Sequence, residues 1–213
     1  MLWPFPKVYP ILDASIIPTA SRAEFLHRLG SDLAEAGVTL LEYRNKSGSD
    51  AQIVADAVAL RTALSAPNIK LILDDRVDLV EQTGFDGVHV DAGDLPPAET
   101  RALLGPDRIV GTFGGSDTLL PDILEAPVDY LAIGPVYPTM TKQTSNAPIG
   151  PGGVRRLREQ AGPEKILTAA AGITLDTAPA VLAAGASAVA VSAAIFRSPN
   201  PAAEFRRWLT VLG

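Results

Sequence analysis

Eight short apolar runs recur along this chain, and each gives way to a longer stretch with amphipathic, helical spacing. The runs read "KVYPILD", "VTLLEYR", "IKLILD", "GVHV", "RIVGTF", "VDYLAIG", "ILTAAA" and "ASAVAVS". Between them lie stretches such as "RAEFLHRLGSDLAEAG", "AQIVADAVALRTAL", "RVDLVEQTG" and "LDTAPAVLAAG". Several of these close on a glycine, at Gly37, Gly84 and Gly185, the residue that best tolerates a left-handed C-terminal cap. Pro179 fits the first turn of the seventh helix, which the sequence therefore starts near Asp176.

Units of roughly 25 residues, repeated eight times, match a (β/α)₈ TIM barrel near its minimum length. A doubly wound open sheet needs a glycine-rich first turn that this chain lacks. No linker or shift in composition divides residues 1–213, so the expectation is an α/β chain folded as one (β/α)₈ barrel domain. Hydrophobic residues make up 47% and aromatics only 6%, a core of Ala, Val, Leu and Ile suited to buried parallel strands.

Charge and composition remove whole classes of function. A formal net charge of −6, with no Lys/Arg run, argues against nucleic acid as the main partner. The absence of cysteine excludes disulfides, thiol catalysis and Cys-ligated zinc, and two histidines, His27 and His89, cannot build a His-rich metal centre. "MLWPFPKVYP" lacks the pattern of a secretory signal, and no apolar run is long enough to span a bilayer. The expectation is a soluble cytoplasmic protein without a membrane partner.

In a barrel of this type, chemistry sits where strands end and helices begin. The candidates there are Asp13, then Arg44, Asn45 and Lys46, then Asp74 and Asp75, then Asp91 and Asp94. Phe113 and Ser116 follow the fifth strand, Gly172 the seventh and Ser192 the eighth. Asp75 and Asp94 are oxygen donors of the kind that magnesium prefers, unless they only cap helices. Arg44 and Lys46 alternate with Asn45, so an extended segment points both cations the same way. In "GPVYPTMTK", Lys142 with Thr139 and Thr141 can surround an anion, or can belong to an ordinary surface loop. "AAAGIT" and "AVAVSAAIF" fall where barrels often build a phosphate site from backbone N–H groups.

The ordered set "YRNK", "LILDDRVDL", "DGVHVDAGDLP", "GPVYPTMTK", "AAAGIT" and "VAVSAAIF" resembles the thiamine phosphate synthase family, from about Tyr9 to Phe196. "GPxxPTxTK" is the most specific element of that resemblance. It implies the joining of a pyrimidinylmethyl diphosphate to thiazole phosphate, with loss of diphosphate by a dissociative displacement. By position, Arg44, Lys46 and Lys142 would act on the diphosphate, and Asp75 and Asp94 would hold Mg²⁺. Thr139 and Thr141 would line the thiazole phosphate side, with Gly172 and Ser192 at that phosphate. Glu42, Asp74 and Phe113 would contact substrate, although the family usually has Gln, Asn and Ser at those positions. "DAGD" stands where the family usually has Gly-Gln-Glu-Asp, Gly115 where it has His, and Ala171 where it has Gly. The partners implied are small phosphorylated molecules, with a homo-oligomer possible. A tautomerase-like isomerase on the same barrel is disfavoured by Asp75, Asp94 and the missing His. A phosphate-ligand binding paralogue without catalysis is the remaining alternative.

Overall fold

The eight apolar runs form strands β1 (Val8–Asp13), β2 (Leu40–Arg44), β3 (Lys70–Asp74), β4 (Gly87–Val90), β5 (Ile109–Gly115), β6 (Tyr130–Ile133), β7 (Leu167–Ala170) and β8 (Ala188–Val191). All neighbouring strands pair in parallel, and β1 pairs with both β2 and β8, so the sheet closes into a barrel. This computed structural model describes residues 4–139 and 146–213. Around the barrel lie α1 (Arg22–Glu35), α2 (Asp50–Ala63), α3 (Val80–Thr83), α4 (Pro97–Leu104) and α5 (Pro121–Glu125), then α6 (Gly150–Ala161), α7 (Ala178–Ala183), α8 (Ala193–Phe196) and α9 (Pro201–Leu212). The expected barrel is the observed one.

Local chemistry explains the boundaries. Gly84 caps α3 with φ 65°, and Gly37 and Gly185 also take the left-handed turn expected of them. Pro179 lies in the first turn of α7, which begins at Ala178 behind Thr177, slightly later than expected.

Alternation along each strand divides the core in two. On β2, Leu41 and Tyr43 join the large apolar layer between sheet and helices. Leu40 joins Tyr9, Ile72, Ile109, Tyr130 and Ala190 in a smaller cluster inside the barrel. Glu42 and Arg44 follow Leu40 on that inner face, and both line the cavity above it. Apolar packing fills the lower barrel, and polar side chains take over toward the C-terminal mouth.

The opposite face is tied by a repeated clamp. Arg61 of α2 donates to Asp86 at 3.0 Å, and the same Asp86 oxygen accepts from Leu71 N of β3 at 2.9 Å. Arg101 of α4 repeats this with Asp129 at 2.7 Å, and Asp129 accepts from Val110 N of β5 at 2.8 Å. Arg158 of α6 donates to Ser187 Oγ at 2.8 Å, which accepts from Leu167 N of β7 at 3.1 Å. Each arginine also takes carbonyls after its own helix, as Arg158 does from Gly162 and Lys165 at 2.7 Å each. Asp86, Asp129 and Ser187 stand immediately before β4, β6 and β8. The clamps therefore lock the strands in successive pairs from below.

Candidate active site

Above the apolar plug, a cavity of about 330 Å³ opens at the C-terminal mouth of the barrel. Glu42, Asp74, Asp91, Phe113 and Thr139 contribute to its walls. Arg44 lines it too, and bonds Asp13 while its Nε stands 3.5 Å from Asp74 Oδ2. Lys46 bonds Asp75 and lies 3.0 Å from the same Asp74 oxygen. The two cations thus converge on one carboxylate, as their alternation requires.

Burial and crowding move the charges. Asp74 is pushed up to about 6 by burial, against the pull of Lys46. Glu42 is pushed up to about 8, first by burial and then by Asp74, although its hydrogen bond with Tyr9 acts the other way. Burial opposes the charge on Lys46, but Asp74 and Asp75 outweigh it and hold the ammonium above its ordinary range. Carboxyl groups outnumber cations on this wall, so a polyanionic ligand needs further positive charge there.

Asp75 and Asp94 are the carboxylates that could hold a cation to supply it. Asp75 does not cap a helix, because the turn that follows it, Val77–Leu79, begins behind Arg76. Its backbone is left-handed at φ 65°, a conformation costing on the order of 1 kcal/mol outside glycine and concentrated at functional sites. Its Oδ1 is buried and lacks a hydrogen-bond partner among the described residues. Asp94 accepts from Asp91 N at 2.7 Å, and its carboxyl is raised by burial and by Asp75 beside it. Among the described residues no group of three or more ligating side chains is present. Two carboxylates, one with an orphaned oxygen, suit a hard cation completed by water and phosphate.

The other side of the mouth is backbone. The register sets Ala170 beside Ala190, so the segments leading to Gly172 and Ser192 leave the rim together. Ala171 and Gly172 are both left-handed, at φ 73° and 69°. A Cβ on Gly172 would lie 2.5 Å from Pro138 O and 2.7 Å from Tyr137 O. Tyr137 N donates to Ala171 O at 3.1 Å, which seats the loop after β6 against the end of β7. Ser192 precedes α8, and its side chain makes no capping hydrogen bond. Gly172 and Ser192 flank the cavity rather than line it. Thr139 lines it, whereas Thr141 and Lys142 lie outside the described residues.

The family model described as thiamine monophosphate synthase matches residues 8–195. The chain belongs to that family. It is 40% identical over 202 residues to a thiamine-phosphate synthase of Koribacter versatilis, covering 94% of each chain. A thiamine-phosphate synthase of Agrobacterium fabrum is 37% identical over 197 residues, covering 91% of this chain and 88% of the relative. The fold superposes on a thiamine phosphate pyrophosphorylase from Pyrococcus furiosus with TM-score 0.75 and 25% identity, covering 97% of each. The Koribacter and Agrobacterium relatives carry the synthase name, and the tautomerase and non-catalytic readings are not favoured.

Three inner residues had escaped the reading of the rim. Tyr9 donates to Glu42 Oε2 at 2.6 Å, and its hydroxyl lies 2.8 Å from that of Tyr130. The Tyr130 hydroxyl in turn lies 3.1 Å from His89 Nδ1. Their signal was available in the two-residue alternation of β1, β4 and β6, which turns Tyr9, His89 and Tyr130 inward.

Proposed function

We propose that this chain is a thiamine-phosphate synthase, a transferase that joins 4-amino-2-methyl-5-pyrimidinylmethyl diphosphate to thiazole phosphate and releases diphosphate. What carries the reading is the convergence of Arg44 and Lys46 on Asp74, beside Asp75 and Asp94, in a member of this family. Arg44 and Lys46, with Lys142 from the loop after β6, neutralise the departing diphosphate. The C–O bond breaks with its electron pair on the diphosphate, and the lone pair of the thiazole nitrogen forms the new C–N bond. No protein nucleophile is required; holding both partners in line and stabilising the leaving group suffices. Thr139 and Thr141 line the thiazole phosphate side, and Gly172 and Ser192 receive its phosphate. Glu42, Asp74 and Phe113 face the pyrimidine and its diphosphate.

Asp75 and Asp94 are the residues that would hold Mg²⁺. The orphaned Asp75 oxygen supports this choice. When bound, the ion supplies positive charge to the leaving diphosphate. The reading includes a cytoplasmic location and small phosphorylated partners; no described helix is long and apolar enough to cross a membrane. A steady-state assay for thiamine phosphate, with both substrates and magnesium, tests it. Turnover that depends on both substrates is expected. No product from the purified protein at any magnesium level would overturn it.

A further inference from the structure

The loop that carries Lys46 is anchored outside the barrel. Tyr43 of β2 turns away from the cavity into the layer between sheet and helices. There its hydroxyl donates to Asp56 of α2, a side chain only 2% exposed. Asp56 also accepts from Arg22 of α1, through Nε at 2.8 Å and Nη2 at 2.6 Å, and from Gln52 Nε2 at 3.2 Å. On its other side the Tyr43 hydroxyl meets Asn45 Nδ2 at 2.9 Å. A buried network of this kind, fully satisfied, specifies one orientation for the group at its end.

The protons fix that orientation. Paired with Arg22, Asp56 is a carboxylate that can only accept, so the Tyr43 proton points at it. Burial, and after it Asp56, pushes the ionisation of Tyr43 up, which keeps the proton in place. The hydroxyl is left to accept from Asn45, so the amide nitrogen faces Tyr43 and the amide oxygen faces away. That oxygen accepts from Gly48 N at 2.8 Å and from Ser47 N at 3.3 Å. The result is an Asx turn wrapped around Lys46. Among the described residues no backbone carbonyl takes those two N–H groups, so the amide alone closes the turn. Gly48 admits it, because a Cβ there would collide with the Asn45 amide.

Lys46 is the residue this turn delivers. Its Nζ lies 3.0 Å from Asp74 and bonds Asp75 at the mouth, although its side chain is 37% exposed. Lysine carries much side-chain entropy, so its reach depends on a backbone that is already fixed. We propose that Asp56, Tyr43 and Asn45 are positioning residues, a relay from α2 that sets the turn from which Lys46 reaches a polyphosphate bound at the mouth. None of the three belongs to the described walls of the cavity. Arg44 needs no such relay, because it leaves directly from the end of β2. The inference rests on the synthase reading for the identity of that polyphosphate.

Calorimetry with inorganic diphosphate and magnesium tests the relay without turnover. Asn45→Ala and Tyr43→Phe should each weaken binding by about three- to tenfold, the worth of one hydrogen bond. In a Lys46→Ala background the same changes should cost less than about twofold, because the residue they position is gone. A merely structural role would weaken binding equally with and without Lys46. Tyr43→Phe is the sharper arm, since it leaves Asn45 in place and removes only the hydroxyl between Asn45 and Asp56. Wild-type affinity in either variant, or equal losses in the two backgrounds, would overturn the proposal. Should wild type bind no diphosphate, the synthase reading falls, and crystal structures of the two variants decide the relay. Lys46 Nζ drawn away from Asp74 would then uphold it, and an unmoved Lys46 would overturn it.

Discussion

Lys46 Nζ lies 3.0 Å from Asp74 Oδ2, so the cation proposed to meet the diphosphate is already held by a carboxylate. Asp75 holds it from the other side. Replacing Asp74 by Asn removes one of those holds and one negative charge from the wall proposed to receive diphosphate. Asp74→Asn should therefore need less magnesium and bind the pyrimidine diphosphate more tightly. A magnesium titration of the variant beside wild type checks this; an unchanged midpoint and unchanged KM would refute the charge argument.

The metal pair makes a separate claim. Chelation should abolish turnover and added magnesium should restore it. Asp75→Ala and Asp94→Ala should each lower kcat/KM by several kcal/mol of transition-state stabilisation, with the fold retained by circular dichroism. Full activity in Asp94→Ala would sink the assignment.

Glu42 ties stability to pH. Its carboxyl is raised in the fold to about 8 from an ordinary value of 4.5. The folded state thus binds its proton more tightly than the unfolded chain does. The resulting stability is complete below about 4.5 and is lost as pH rises through about 8. Glu42→Gln should flatten this dependence, gaining most at pH 8, by roughly 2–4 °C in Tm for each kcal/mol relieved. Thermal melts between pH 5 and 8.5 read it directly. A gain that is larger at pH 5 than at pH 8 would carry the wrong sign.

Gly172 combines a left-handed backbone at φ 69° with no room for a side chain, since a Cβ there would lie 2.5 Å from Pro138 O. Gly172→Ala should displace the loop after β6, weakening thiazole phosphate far more than the pyrimidine diphosphate. The ratio of the two KM values is the measurement, and equal effects on both would detach Gly172 from the phosphate side.

Arg158 satisfies the carbonyls of Gly162, Lys165 and Gly185 together with Ser187 Oγ. Arg158→Ala should cost about 2–4 kcal/mol of stability through the groups left unpaired. Because the clamp lies at the far end of the barrel, kcat and both KM values should stay near wild type at temperatures where the variant is folded.

Much of this architecture was legible in the order of residues. The eight strands and the rim positions followed from periodicity alone, since a strand buried on both faces leaves few alternatives to a run of Val, Ile and Leu. Arg44 and Lys46 were correctly placed on one side by simple alternation. Asp75 was harder, because a carboxylate before a helical stretch reads equally well as a cap, and only the backbone at Arg76 decides otherwise. Tyr9, Tyr130 and His89 were missed for a different reason. Each sits inside an apolar run and looks like core, and their hydroxyl and ring nitrogen meet only across the barrel, between residues up to 121 positions apart. No local pattern encodes that distance.

The three arginine clamps have a further consequence for how this chain can change. They bind strands two at a time, β3 with β4, β5 with β6 and β7 with β8, through side chains that never approach the cavity. Each clamp ties the lower edge of its pair through groups separate from those at the mouth. Substitutions at the mouth, such as an acid for an amide at position 42, are therefore absorbed without loosening the seams. Pairs tied in that way can be exchanged between related barrels by cutting ahead of β3, β5 or β7, and chimeras joined there should refold where cuts inside a clamped pair should not.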